Sequence, residues 1–284
     1  MSKEIIDARR LLNIVKDKVK KYTKDKQLKL VILTDHSDPA SKIYLRNKKK
    51  HCQEVGIDCE IIDIKEYSKK DALETLQKLN LDDSVTGIIV QLPCELDYAD
   101  ELIAQIGYVK DVDGLTGLNK FYLYSGRPLD ELLLPCTPQG IMWVLDSLDF
   151  KYDGAYVIMC GRSELVGRPL LQLLNKMNCT VLSINSHTDY SKISCDGADL
   201  IISAIGKPKF YKVTGDYAEK NTILIDVGIN RDENGKMCGD FDLDNCDFAK
   251  ATKVPGGIGL MTIGSLLYNV TKADRIQRGI REDI

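Results

Sequence analysis

Tyr44 and Lys48 stand four positions apart in a segment of helical character, so the ring and the amine emerge on one face. A lysine so placed can exchange protons with a bound reactant, and the ring beside it can stack on a flat one. Gln91 closes the apolar run Gly87-Ile88-Ile89-Val90, where a buried amide needs a partner, and Lys110-Asp111-Val112-Asp113-Gly114 follows the next helical segment. Both signals arrive at the strand-end edge where α/β sheets bind substrates. A stacking pair on a solvated helix would have the same Tyr44-x-x-x-Lys48 spacing, and Asp113 also reads as an acid that orders its own loop beside Lys110.

A second constellation lies farther along. Gly161-Arg162-Ser163-Glu164-Leu165-Val166-Gly167-Arg168-Pro169 follows an apolar run and precedes a helix-like stretch, which places it at a strand-to-helix turn. Glycines there let the backbone approach a pyrophosphate, and the following helix offers free N–H groups and a favourable dipole. Ser163 stands where the ordinary G-x-G-x-x-G spacing needs glycine, so a plain turn with a basic surface reads equally well. The next strand, 180–184, ends in Asn185-Ser186-His187-Thr188, with no carboxylate to hold ribose hydroxyls as in NAD sites. Arg162, Ser186 and His187 can instead donate to a 2′-phosphate, which favours NADP over NAD.

The elements that must position these groups alternate. Strands at 28–33, 59–64 and 87–92 alternate with helices at 40–55, 69–79 and 98–106, a βαβαβ order that predicts a parallel sheet. The first helix starts near Ile6 and carries Ala8, Leu11, Leu12, Val15, Val19 and Tyr22 on one face. Residues 114–136 read as a loop, and Thr137-Pro138 as the N-cap and first position of a bridging helix over 139–148. Strands at 155–160, 180–184, 199–204 and 222–227 build a second domain, and the glycine turn 255–259 leads to a helix from 262 to about 278. That gives an α/β fold of two domains. A βαβ-type parallel-sheet domain spans 1–137 and a Rossmann-like domain 138–261, and the helix of 262–284 returns to pack on the first.

Composition narrows the function classes. With 284 residues, 44% of them hydrophobic, the chain has cores for two modest domains, and a formal charge of -3 without long basic blocks speaks against nucleic acid. Lys48-Lys49-Lys50 is the densest basic cluster. No run approaches the roughly 18 apolar residues of a membrane span, and the N-terminus lacks a signal-peptide core, so a cytoplasmic protein is expected. Nine cysteines without a C-x-x-C pair suit reduced thiols, and three histidines leave no metal site to assign.

Seven motifs in series carry a resemblance. They are Tyr44-x-x-x-Lys48, Val90-Gln91-Leu92-Pro93, Lys110-Asp111-Val112-Asp113-Gly114, Pro135-Cys136-Thr137-Pro138-Gln139-Gly140, Gly161-Arg162-Ser163-x-x-Val166-Gly167-Arg168-Pro169, Asp226-Val227-Gly228-Ile229-Asn230 and Val254-Pro255-Gly256-Gly257-Ile258-Gly259. In order and spacing the chain resembles the bifunctional methylenetetrahydrofolate dehydrogenase/cyclohydrolases. The resemblance implies oxidation of 5,10-methylenetetrahydrofolate with NADP, hydrolysis of the methenyl product to 10-formyltetrahydrofolate, and a homodimer. It also implies a folate site between the two domains, made by Tyr44, Lys48, Val90, Gln91, Leu92, Asp113, Pro255, Gly256 and Gly257. Lys48 would move the proton in hydrolysis with Gln91 orienting its amine, Tyr44 would stack on the pterin, and Asp113 would accept its N–H groups. Gly161, Arg162, Ser163, Ser186 and Ile229 would hold the cofactor. Leu260, Lys253, Cys94-Glu95 and His187 depart from the family pattern. Two other readings stay open on the residues alone, a dehydrogenase of a hydroxy or amino acid and a non-catalytic nucleotide-binding regulator.

Overall fold

The computed structural model describes residues 3–35, 39–194, 196–208, 221–280 and 284, with backbone only at 39–43 and 190. His36, Asp38 and Cys195 lie outside the described residues. The chain divides into two compact units, one of Asn13–Cys136 with Ile263–Ile284 and one of Met1–Leu12 with Thr137–Thr262.

The first unit is built on a three-stranded parallel sheet in the order β3-β2-β4, from β2 (Leu28–Thr34), β3 (Ile57–Asp63) and β4 (Gly87–Val90). Leu30, Val31, Ile32 and Leu33 of β2 are all fully buried, as a central parallel strand covered on both faces requires. Such a strand reads as a continuous apolar run rather than an alternating one. Helices α2 (Pro39–Glu54), α3 (Lys69–Leu81) and α4 (Ala99–Gln105) connect and follow the strands. Ser68 starts α3 by accepting from the Asp71 N–H, a side-chain cap the sequence supplies locally. Beyond β4 the chain returns to the sheet edge at Asp111, where Ile88 N–H donates to the Lys110 carbonyl at 2.7 Å. Asp113 is thereby carried beside the end of β4.

The stretch 114–136 is not simply a loop. It holds helix α5 (Gly117–Tyr124), capped by Thr116, and a single 3₁₀ turn at Leu129–Glu131. The short helix exposes Leu118, Phe121 and Tyr124, so no apolar stripe announces it in the sequence.

The second unit carries a six-stranded parallel sheet, ordered β1-β11-β8-β7-β5-β6. Its strands are β1 (Glu4–Ile6), β5 (Tyr156–Cys160), β6 (Thr180–Ile184), β7 (Leu200–Ser203), β8 (Ile223–Asp226) and β11 (Lys250–Thr252). A small antiparallel pair, β9 (Asn230–Arg231) and β10 (Met237–Cys238), stands apart. The placement of β1 corrects the expected helix start and the expected domain boundary. Ile6 ends a strand paired with β11, helix α1 runs over Arg9–Thr23, and residues up to Leu12 group with the second unit. Three residues with Ile5 half exposed carry too little pattern to announce an edge strand.

Two helix starts also move. Helix α6 spans Cys136–Ser147, so Thr137 lies inside its first turn and its hydroxyl meets that of Thr262 at 3.0 Å instead of capping. After α7 (Gly167–Lys176), the last helix, α8, begins at Ile258 and ends at Gln277. Its residues from Ile263 onward belong to the three-stranded unit, where Gln277 donates to the carbonyls of Thr86 and Val109.

Candidate active site

In the three-stranded unit, helix α2 presents Tyr44 and Lys48 one turn apart, and the Lys48 Nζ lies 5.3 Å from the Tyr44 ring centroid. The same amine donates to Gln91 Oε1 at 2.9 Å, and both side chains are only 6% exposed. Gln91 is held at three points. Its backbone N–H donates to the Leu33 carbonyl at 2.8 Å, extending the ladder past β4, and its Nε2 donates to the Leu92 carbonyl at 2.5 Å. That second bond leaves Oε1 facing the lysine. A neutral amide thus fixes the amine without the charge stabilisation a carboxylate would supply.

The Lys110–Gly114 motif separates into scaffold and site. Lys110 Nζ donates to the carbonyls of Leu79 and Asp82, tying the segment to the end of α3. Buried Asp111 accepts from the N–H groups of Leu115 and Thr116 and from Asn119 Nδ2; burial raises its pKa and these donors oppose the rise. Gly114 has φ +68, and a Cβ there would stand 2.6 Å from Leu134 and Pro135 backbone atoms. Loop ordering therefore belongs to Asp111 and Gly114, while Asp113 is half-exposed and has the Cys136 thiol as a side-chain hydrogen-bond partner. Asp113 faces the same space as Tyr44 and the Lys48–Gln91 pair. Its charge adds to the rise that desolvation gives the Tyr44 phenol, and with burial it pushes the Cys136 thiol well up, against the opposing effect of Lys48. Val90 is buried beside this group and Leu92 is half-buried.

In the six-stranded unit, the turn after β5 is shaped by close backbone approach. Gly161 has φ +108 and a Cβ on it would stand 2.8 Å from the Ala204 carbonyl oxygen; one on Gly167 would stand 2.5 Å from the Gly161 carbonyl oxygen. Ser163 Oγ accepts from the N–H groups of Val166 and Gly167, the first donors of α7. This serine takes up the glycine position of the usual fingerprint by capping the helix itself. Arg162 and Ser186 are exposed. The nearest carboxylate after β6, Asp189, is engaged by Ser191 and Lys192, which hold its pKa below the usual carboxylate range.

Two buried carboxylates that the sequence did not single out as site residues brace the neighbouring loops. Asp240, fully buried, accepts from Ser203 Oγ, the backbone N–H groups of Ile205, Gly206 and Lys207, and Asn230 Nδ2. Asp226 accepts from Gly228, Asp240 and Phe241 N–H groups, and burial pushes its pKa up to about 6. Gly228 and Gly239 are required here, because a Cβ on either would overlap the facing carboxylate oxygen, at 2.1 and 2.0 Å. Ile229, 61% exposed, crowns this braced turn. Pro255, Gly256 and Gly257 also belong to the six-stranded unit. Gly256 has φ +114 and its carbonyl accepts from Ala8, and a Cβ on Gly257 would meet the Lys253 carbonyl oxygen at 2.5 Å.

A nucleotide edge of this kind on one parallel sheet, and a buried lysine–amide pair at the strand ends of another, define a two-unit NAD(P)-dependent oxidoreductase. Residues 6–113 match the family model for the tetrahydrofolate dehydrogenase/cyclohydrolase catalytic domain, and residues 135–278 match that for the NAD(P)-binding domain of the same enzymes. The chain belongs to the tetrahydrofolate dehydrogenase/cyclohydrolase family. It is 39% identical over 280 residues to the bifunctional protein FolD of Agathobacter rectalis, covering 95% of this chain and 98% of that one. Among solved structures, it resembles the bifunctional FolD methylenetetrahydrofolate dehydrogenase/cyclohydrolase of Campylobacter jejuni with a TM-score of 0.89 at 33% identity, over 98% of this chain and all of the other. The Trypanosoma brucei methylenetetrahydrofolate dehydrogenase-cyclohydrolase, solved with NADP and an inhibitor, gives a TM-score of 0.84 at 25% identity over 98% of each chain. Among the described residues, no helix is long and apolar enough to cross a membrane.

Proposed function

We propose that this chain oxidises 5,10-methylenetetrahydrofolate to 5,10-methenyltetrahydrofolate with NADP and hydrolyses that product to 10-formyltetrahydrofolate. The observation that carries the reading is the buried Lys48–Gln91 pair at 2.9 Å, with Tyr44 and Asp113 around it. NADP, when bound, supplies the hydride acceptor. The turn at Gly161 and Gly167 fits its pyrophosphate, since a side chain at either glycine would close the backbone approach, and Ser163 holds the turn in shape. Arg162 and Ser186 suit the 2′-phosphate, and exposed Ile229 offers the cofactor an apolar contact on a rigid loop.

On the folate side, Tyr44 stacks on the pterin, Asp113 accepts from its amino and ring N–H groups, and Val90 and Leu92 wall the ring. Pro255, Gly256 and Gly257 serve bound ligand through their backbone. Hydride loss depends on alignment and asks no proton of the protein. Hydrolysis does. Water adds its oxygen to the methenyl carbon and gives one proton to Lys48 Nζ; that proton passes to the ring nitrogen as its bond to the carbon breaks, and the hydroxyl left on the carbon releases its own proton to solvent as the formyl C=O forms. Gln91 keeps the amine pointed at the reacting carbon throughout.

Support for a homodimer comes from the family resemblance, and sedimentation of the purified chain tests it. A cytoplasmic setting agrees with the eight described cysteines being free thiols. The activity is tested by supplying methylenetetrahydrofolate with NADP or NAD and following methenyl formation and decay optically. A methenyl product with NADP, followed by ring opening faster than in buffer, is expected; no methenyl product with either cofactor returns the chain to the hydroxy- or amino-acid dehydrogenases.

A further inference from the structure

Asn269 lies in the middle of α8, fully buried, 157 residues in sequence from Val112 and 135 from Leu134, both of which it touches. Its Nδ2 donates to the Val112 carbonyl at 2.9 Å and to the Leu134 carbonyl at 2.9 Å, and stands 3.7 Å from the Cys136 sulfur. Val112 immediately precedes Asp113. Leu134 belongs to the strand of chain against which Gly114 packs so closely that a Cβ would not fit. One amide group therefore staples the two segments that flank the Asp113 carboxylate to the C-terminal helix.

The orientation of that amide is set by its partners. Two carbonyl oxygens converge on Nδ2, so a flipped side chain would put oxygen against both of them. The cost is taken at the other end, where buried Asn269 Oδ1 has no hydrogen-bond partner among the described residues. An apolar residue would spare that unpaired oxygen but would take the donor from the Leu134 carbonyl and one of two donors from the Val112 carbonyl, so the amide is what ties both segments to the helix. The Val112 carbonyl also receives the Cys136 thiol at 3.3 Å, so both donors converge on the peptide that aims Asp113.

We propose that Asn269 is a positioning residue for folate, holding the Val112–Asp113 peptide so that the Asp113 carboxylate meets the pterin. This rests on the reading of Asp113 as the pterin acceptor. Asn269 touches no reacting group, so its loss removes binding shared by ground and transition states. Asn269→Ala is expected to raise the folate KM about 5- to 10-fold in both reactions, the loss of one or two buried hydrogen bonds, with kcat and the NADP Kd unchanged. Asn269→Ser, which keeps one donor, falls between the two and serves as the measured variant if the alanine protein shows no cooperative melt.

A double-mutant cycle with Asp113→Ala decides how the residue acts. If Asn269 works through Asp113, either Asn269 variant adds no further rise in KM on the Asp113→Ala background. An equal multiplicative rise on both backgrounds, an unchanged KM in the single variants, or a fall in kcat without a change in KM would overturn the proposal. Asp113→Ala alone separates the two ideas: if it leaves the folate KM at the parent value, the reading of Asp113 fails and the proposal with it, whereas a raised KM there with silent Asn269 variants refutes the proposal only.

Discussion

The two ligand-binding regions of this protein are built in opposite ways. In the three-stranded unit the working groups are side chains drawn out of water: Lys48 and Gln91 are each 6% exposed and bonded to one another across 43 residues of sequence. In the six-stranded unit the working surface is backbone and exposed side chains, with Gly161 and Gly167 clearing the approach and Arg162 and Ser186 open to solvent. Its buried charges, Asp226 and Asp240, serve loops. The contrast follows from the tasks. A proton acceptor works on a reacting atom where water is excluded and geometry is fixed, whereas a dinucleotide that must enter and leave is recognised by accessible donors on a rigid frame.

The largest test of that contrast is Lys48→Met. Methionine keeps most of the bulk but exchanges no proton, so ring opening should fall by about 10² to 10⁴ while hydride transfer remains measurable. Methenyl product then accumulates in the coupled assay. Ring opening at the parent's rate, after subtraction of spontaneous hydrolysis in the same buffer, would place the proton transfer on another group.

Asp226 tests the other half, that buried charge in the six-stranded unit is structural. Burial raises its pKa in the folded chain to about 6 from the 3.8 of an ordinary aspartate, so its contribution is fully present below pH of about 4 and is lost as pH rises through about 6. Over that window the parent should lose up to about 3 kcal/mol that Asp226→Asn does not lose. Urea unfolding of both proteins across the window measures the difference, which should grow with pH in favour of the variant. A constant gap would mean that Asp226 does not titrate there, and a specific loss of ring opening would give it a chemical role.

Arg162→Ala has the smallest expected effect because the guanidinium is exposed. Losing a charge-assisted bond to the 2′-phosphate should narrow the preference for NADP over NAD by about 10-fold, chiefly through the NADP KM. Equal losses with both cofactors would show that Arg162 shapes the turn and does not read the phosphate.

Much of the frame was legible because it is written locally. The continuous apolar run of β2 reports a strand covered on both faces, and the strand-to-helix turn at Gly161 declares itself by its glycines. Type and spacing marked Tyr44, Lys48, Gln91 and Asp113 as candidates, and the family resemblance gave them roles. What escaped was short or nonlocal. The three residues of β1 pair with β11 from the far end of the chain, α5 has no buried stripe, and Asp240 and Asn269 sit in stretches with no chemical pattern around them.

By itself, then, the sequence determined most of the strands and helices and which side chains are chemically able to act, since both depend on residue types and neighbours a few positions away. Only the tertiary structure decided which of those side chains meet. It paired Lys48 with the oxygen of Gln91, assigned loop-building to Asp111 with Asp113 half-exposed beside Tyr44 and Cys136, and brought Asn269 onto the Val112 carbonyl. The reason is physical. A hydrogen bond forms within about 3 Å and at a fixed angle, and no periodicity along the chain encodes that distance between residues brought together by different strands and helices.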